Sequence, residues 1–336
     1  MSESRNRNLL VTGCAGFIGW KVTEKLLERG SSVVGIDNLN DYYDPMLKAL
    51  RLSELGKHRR FLFIKEDITE FPMMERLFRE HQFDAVINLA ARAGVRASVE
   101  DPWTYYHTNV TGTLNLLELC RRNEIKKFVF AGSSSVYGAN DVPFSEDDNT
   151  DRPLSPYAAS KKAAEVLTYT YHYLHNLDVT VLRYFTVYGP RGRPDMSIFK
   201  FLSSILNEED IEVFGDGKQL RDFTYIDDIA EGTIRALAPC GYEIINLGND
   251  NPVELRYVIG LIEKAVGKRA RITNLPRHPA DVPSTQANIE NARRLLNWKP
   301  EVSIDEGIRR TAEWYLKFQN RFPDQVFGKS IDEVKQ

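Results

Sequence analysis

Gly13-Cys14-Ala15-Gly16-Phe17-Ile18-Gly19 is the stretch on which the fold turns. It follows a short apolar run, Leu9–Thr12, and opens a segment from Phe17 to Arg29 in which Ile18, Val22 and Leu26 recur every four residues. Strand, glycine turn and amphipathic helix in succession form the context that gives a glycine triplet meaning. Gly30 supplies the helix stop. Gly13 permits the tight turn, Gly16 lets a pyrophosphate approach the main chain, and Gly19 lets the helix pack on the sheet. Free N–H groups of the first turn, at Phe17 and Ile18, then face the phosphates. The next run, Ser32–Asp37, ends in Asp37-Asn38, 18 residues past Gly19. A carboxylate there accepts bonds from the adenosine ribose hydroxyls and repels a 2′-phosphate, which predicts NAD rather than NADP.

Outward from this unit, β-branched runs alternate with amphipathic segments. Strands are predicted at Leu9–Thr12, Ser32–Asp37, Phe61–Lys65, Ala85–Leu89, Lys127–Ala131 and Val179–Arg183. Long helices are predicted at Pro102–Arg122 and Pro156–Asn176, the second with Ser155 as N-cap and Pro156 at its first position. After Tyr184 the alternation fails and turn residues crowd in, as in Gly189-Pro190-Arg191-Gly192-Arg193-Pro194. The expected fold is α/β: a Rossmann-type doubly wound parallel sheet with a smaller C-terminal α/β substrate lobe. Residues 1–184 form the NAD-binding domain, with a return to the sheet within about 223–250, near Phe223–Ala236 and Ile244–Leu247. Residues 185–222 and 251–320 form the substrate lobe, and 321–336 a polar tail.

Composition closes off other classes. With a net charge of −3 over 336 residues, no basic excess points to nucleic acid or an anionic membrane. The chain has no run of about 18 apolar residues, and Met1–Asn8 is too short and polar for a signal sequence. Cys14, Cys120 and Cys240 are widely spaced, without a Cys-x-x-Cys pair, which predicts a cytoplasmic protein with neither a disulfide framework nor a zinc site. Only His172 and His175 stand at close helical spacing, and with no third ligand no metal is expected.

Tyr157-Ala158-Ala159-Ser160-Lys161 places a phenol and an ammonium one turn apart on one helix face. The helix N-terminus, Lys161 and a positive nicotinamide are expected to lower the tyrosine pKa, making Tyr157 the base. Ser133 begins Ser133-Ser134-Ser135-Val136-Tyr137-Gly138 at the end of the fifth strand, where such folds place chemistry, and can relay a proton. Asp67-Ile68 follows the third strand; its carboxylate suits the adenine amino group and equally a cap before Phe71, and both readings stand.

Taken together, Gly13–Gly19, Ser133, Tyr157 and Lys161 resemble the extended short-chain dehydrogenase/reductases that modify nucleotide-linked sugars. Further stretches are similar to UDP-glucuronate 4-epimerases: Asp37–Asp44, Ala93-Gly94-Val95-Arg96, Phe185–Pro190, Arg193-Pro194-Asp195-Met196 and Arg221–Asp228. The resemblance covers about residues 8–318. It departs at Asn88, where the family usually has His, at Arg92 in place of a common Gln, and at Arg277-His278-Pro279-Ala280-Asp281 in place of a Gln-Pro-Gly-Asp ending.

The resemblance implies NAD-dependent epimerisation of a UDP-sugar at C4 through a transient 4-keto sugar. Tyr157, Lys161 and Ser133 are then catalytic. Asn38, Asn40, Asp67, Ile68, Leu89, Ala90, Ala91, Asn109 and Tyr184 join Gly13–Gly19 and Asp37 around NAD. Arg221 and Arg193 meet the diphosphate, with Arg96 a further candidate; Val213 and Phe214 wall the base, and Asp281 binds the uridine ribose. Related dehydratases carry Asp-Glu at the positions of Ser134-Ser135, and decarboxylases carry Glu at Ser135. UDP-glucose 4-epimerases resemble Ser-Ala-Thr-Val-Tyr-Gly and have Asn at Thr186. Ser134, Ser135 and Thr186 here form a set of hydroxyls suited to a carboxylate, which favours UDP-glucuronate over UDP-glucose or a UDP-N-acetylhexosamine. A non-catalytic NAD-binding sensor is the reading from a different class. The resemblance also implies a homodimer that pairs the two long helices in a four-helix bundle, with Leu116, Leu117, Leu167 and Tyr171 supplying apolar surface.

Overall fold

The computed structural model describes residues 7–276, 282 and 284–321. β1 (Asn8–Thr12), α1 (Phe17–Glu28), β2 (Ser32–Ile36), α2 (Pro45–Leu55), β3 (Phe61–Ile64), α3 (Phe71–Glu80) and β4 (Ala85–Asn88) alternate as the hydropathy pattern predicts. There follow α4 (Ala97–Glu100), α5 (Pro102–Tyr106), α6 (Gly112–Arg122), β5 (Lys127–Ser133), α7 (Pro156–His175) and β6 (Asp178–Tyr184). The remainder comprises β7 (Thr186–Tyr188), α8 (Ser197–Leu206), β8 (Asp210–Phe214), β9 (Leu220–Arg221), β10 (Phe223–Tyr225), α9 (Ile226–Arg235) and β11 (Tyr242–Leu247). It ends with β12 (Val253–Glu254), α10 (Leu255–Val266), β13 (Arg271–Leu275), α11 (Glu290–Leu296) and α12 (Ile304–Arg321).

Seven parallel strands form the main sheet in the order β11-β6-β5-β4-β1-β2-β3. Its inner strands are apolar on both faces, as a doubly covered sheet requires. Leu9, Val11, Val129 and Ala131 pack into one core with α1, α9 and α11, while Leu10, Phe128 and Phe130 pack into the other with α3 and α6. A further core gathers α8, α10 and α12 around Phe199, Leu202, Val258, Ile262 and Ile308.

Three features differ from the sequence reading. The expected helix Pro102–Arg122 carries a π-helical turn at His107–Thr111 between α5 and α6, a single turn of i→i+5 bonding that has no residue signature of its own. Within Phe223–Ala236 nothing returns to the sheet: β10 pairs with β7 in a separate ribbon and α9 packs on α1. Only β11 rejoins, beside β6. Ala292, Leu296 and Trp298 lie in the stretch expected to belong to the lobe, yet they pack into the sheet core, and Trp298 Nε1 donates to the Asp228 carbonyl at 2.8 Å.

Arg51, fully buried, ties the halves together. Its guanidinium donates to the carbonyl of Ala15 (2.8 Å), the hydroxyl of Tyr43 (2.7 Å) and the carbonyl of Arg191 (2.6 Å). One side chain thus fixes the glycine turn against the chain that enters the lobe.

Candidate active site

The carboxyl ends of the parallel strands open into a cavity of about 410 Å³, within the ordinary range for small-molecule sites. Gly13, Gly16, Phe17, Ile18 and Gly19 line one end. Gly13 has φ +68°, and a Cβ there would lie 2.8 Å from the Ala90 nitrogen; a Cβ on Gly19 would lie 2.0 Å from the Gly13 carbonyl oxygen. Only glycine fits at either position. The resulting bare main chain at the start of α1 fits a dinucleotide pyrophosphate.

Asp37, Asn38, Asn40, Asp67 and Ile68 continue this wall. Asp37 accepts from Leu39 N (2.8 Å), Ala15 N (3.3 Å) and Lys48 Nζ (3.3 Å). Lys48, which the sequence reading missed, is buried and also reaches Asn40 Oδ1 at 3.3 Å. Burial acts upward on the Asp67 carboxyl, but bonds from Thr69 and Asn38 outweigh it and hold the group below its usual range. The carboxylate organises the Thr69 turn; α3 begins after Glu70, so Asp67 is not its cap. Leu89, Ala90 and Ala91 also line the cavity. Thr12 Oγ1 accepts from Leu89 N (3.1 Å) and Ala90 N (3.0 Å) and donates to Asn88 Oδ1 (2.7 Å). Asn88, a departure from the family, thereby acquires a structural partner.

At the other end stand Tyr157 and Lys161, on the first turns of α7, with Ser133, Ser134, Ser135, Tyr184, Thr186 and Arg193. Ser155 Oγ accepts from Ala158 N at 3.2 Å and Pro156 fills the first turn, which fixes where this helix begins. Lys161 Nζ donates to the Ala131 carbonyl at 2.8 Å, and burial pushes its pKa down to about 7. Burial raises the Tyr157 hydroxyl, opposed by a hydrogen bond with Ser133 and the field of Arg193. The expected lowering of Tyr157 by Lys161 is therefore not present in the protein alone, because burial dominates and the ammonium points to Ala131. Ser133 Oγ accepts from Ser135 N at 3.2 Å, which holds the turn that carries the serines.

Other predicted residues stand off the cavity wall. Asn109 is buried and its amide is spent: Oδ1 accepts from Arg92 N (2.8 Å), and Nδ2 donates to the Arg92 carbonyl (3.0 Å) and Ser160 Oγ (2.9 Å). It supports the site rather than lining it. Arg221 donates to the carbonyls of Leu220 and Val282, both at 2.8 Å. Val213 is buried in the lobe core, and the Arg96 guanidinium lies over the Phe214 ring at 3.8 Å from its centroid. None of Arg221, Val213, Phe214 and Arg96 belongs to the wall. Asp281 lies outside the described residues. Conversely, Tyr42, Tyr43, Arg92, Thr108 and Met196 line the cavity without having been assigned to it. Tyr42 and Tyr43 did stand in one of the motifs quoted for the resemblance, which was the available signal.

Fold and site together define a nucleotide-sugar-modifying dehydrogenase architecture, and the chain belongs to the NAD dependent epimerase/dehydratase family, whose profile matches residues 9–248. It is 57% identical over 306 residues to a UDP-glucuronate 4-epimerase of Thermodesulfobacterium geofontis, covering 91% of this chain and 95% of that protein. Among solved structures it is similar to UDP-glucuronic acid 4-epimerase from Bacillus cereus in complex with UDP-glucuronic acid and NAD. The TM-score is 0.88 and the identity 37%, over 93% of this chain and 99% of that one. It is also similar to UDP-glucose 4-epimerase with UDP-glucose from Thermotoga maritima, with TM-score 0.85 and 33% identity over 93% and 99%.

Proposed function

We propose that this protein is a UDP-glucuronate 4-epimerase that interconverts UDP-glucuronate and UDP-galacturonate. The observation that carries the reading is one cavity holding Ser133, Tyr157 and Lys161 beside Ser134, Ser135 and Thr186, with no acid in the serine turn. Gly13–Gly19 and Asp37 hold NAD, which when bound supplies reversible hydride acceptance at C4. Tyr157 takes the O4 proton, and Ser133 passes it between sugar and phenol. Lys161 lies one turn further along α7 and presents its ammonium at the same end of the cavity. Once C4 is a ketone the sugar is a β-keto acid, which loses carbon dioxide when its carboxylate aligns with the carbonyl π system. Ser134, Ser135 and Thr186 hold that carboxylate out of line.

NAD is assigned to the domain of residues 1–184 completed by β11, and the nucleotide sugar to the lobe gathered around α8, α10 and α12. Arg193, expected at the diphosphate, lies on the cavity wall bonded to Asp195 and the Ala93 carbonyl, with its field reaching Tyr157. Arg221 and Arg96 are assigned to the diphosphate and Val213 and Phe214 to the base, the Arg96 guanidinium lying over the Phe214 ring. Incubation of the purified protein with UDP-glucuronate, followed by chromatography, is expected to yield UDP-galacturonate. Turnover of UDP-glucose alone would overturn the substrate assignment.

We also propose a homodimer built on α5–α7. Leu116 and Leu117, expected at its interface, are buried against the sheet, but Trp103, Val166, Tyr169, Tyr173 and Leu174 form an exposed apolar face on these helices. Light scattering at micromolar concentration should give twice the chain mass and Val166→Glu/Tyr173→Glu the monomer; a monomeric wild type would remove the proposal. Among the described residues no helix is long and apolar enough to cross a membrane. The three cysteines are unpaired, which supports a cytoplasmic setting.

A further inference from the structure

We infer that Arg92 is a receptor for the C5 carboxylate of the sugar, a role that rests on the carboxylated substrate proposed above. Arg92 lines the cavity beyond the end of β4. Its main chain is clamped on both sides by the Asn109 amide, which also bonds Ser160, the neighbour of Lys161. The position of the residue is thereby tied to the catalytic helix. The guanidinium lies over the Tyr42 ring, 4.7 Å from its centroid. Its Nε is buried and makes no hydrogen bond, and among the described residues no carboxylate is hydrogen-bonded to the guanidinium, although Asp101 feels its field. Arg193, 5.5 Å from the centroid of the same ring, is by contrast committed to Asp195 and the Ala93 carbonyl.

Stacking occupies the flat face of a guanidinium and leaves its in-plane N–H groups for a planar anion. A guanidinium held in this way against a small-molecule cavity, with a buried N–H left without an acceptor, gains when a ligand supplies one. Two anionic groups on the substrate are candidates, and geometry separates them. The Tyr42 and Tyr105 hydroxyls converge on Gly94, where a Cβ would lie 2.7 Å and 3.1 Å from them, and the Tyr105 ring meets Tyr157 edge-on at 6.1 Å. The Arg92–Tyr42 pair therefore sits at the reacting end, next to the base for O4. There the neighbour of C4 is C5 with its carboxylate, while the diphosphate is on C1 across the ring. Epimerisation also requires the ring to turn about its diphosphate linkage, which carries the carboxylate from one flank to the other. Ser134, Ser135 and Thr186 cover the β5–β7 flank, and Arg92 covers the β4 flank.

The test uses NAD-loaded protein carrying Tyr157→Phe, so that ligands bind without turnover. UDP-glucuronate, UDP-galacturonate, UDP-glucose and UDP are titrated by calorimetry, with melting temperature as a fold check. Arg92→Gln is expected to weaken at least one carboxylated sugar roughly 10- to 100-fold and to leave UDP-glucose and UDP within about two-fold. Arg92→Lys, which keeps the charge and loses the fork, should fall between, and it serves if the glutamine variant does not fold. Equal losses across all four ligands would make Arg92 a diphosphate or structural residue and overturn the inference, as would unchanged affinity for both carboxylated sugars. Failure of the Arg92-intact protein to bind UDP-glucuronate would instead sink the proposed function.

Discussion

The cavity wall at Gly13, Gly16 and Gly19 is main chain fixed between β1 and α1, whereas the wall at Ser134, Ser135, Thr186 and Arg193 is side chain carried on short connections. The first needs no rotamer to be right: the Cβ positions are closed by neighbouring main chain, and Thr12, Asn88 and Arg51 brace the turn from behind. The second depends on hydroxyl orientation, and several of the cations near it already serve internal acceptors. Arg221 faces two carbonyls, and Arg193 is held by Asp195 and Ala93. Cofactor binding should thus tolerate almost any side-chain change at the sugar end, while substrate choice should be sensitive to single hydroxyls.

Tyr157→Phe applies the most severe test of that contrast. Epimerisation should fall roughly a thousand-fold, because the general base is lost, while NAD released on denaturation stays at the wild-type amount. Appreciable turnover would remove Tyr157 from its role, and loss of NAD would show that the two walls are not independent. A smaller effect is expected from Ser134→Ala/Ser135→Ala. UDP-glucuronate should bind roughly a hundred-fold more weakly or worse, at two charge-assisted bonds of about 1.5–3 kcal/mol each, and a UDP-pentose should leak from the oxidised intermediate. Thr186→Ala should show the same pattern at roughly half the free-energy cost. Equal losses for UDP-glucose, a lowered melting temperature and no pentose would make these hydroxyls turn-holders only.

Most of the cofactor end was legible because its signals are local. A glycine triplet between strand and helix, and an acid at the end of the next strand, are read within one βαβ unit. Tyr157, Lys161 and the N-cap Ser155 were legible for the same reason, being set by spacing along a single helix. Lys48 and Arg51 were not. In Lys48-Ala49-Leu50-Arg51 the cations read as a solvated face, and only the packing of α2 under the glycine turn buries them. The π-turn at His107–Thr111 also escaped, since a single turn with i→i+5 bonding carries no residue signature of its own. The partner of Phe223–Tyr225 was misjudged because a three-residue apolar strand suits any open edge.

By itself, then, the sequence determined the order of strands and helices in the first half, the glycine turn ahead of α1 and the grouping of Ser133, Tyr157 and Lys161. Each of these is encoded by backbone conformation or by periodicity over a few residues. Tertiary structure alone decided which cations are left to meet an anion. Arg92, Arg193 and Arg221 are alike in sequence, yet Arg193 and Arg221 face protein acceptors and Arg92 does not. The same holds for ionisation. The fall of Lys161 to a pKa of about 7 and the rise of Tyr157 follow from desolvation, which depends on everything packed around a group and on nothing in its immediate sequence.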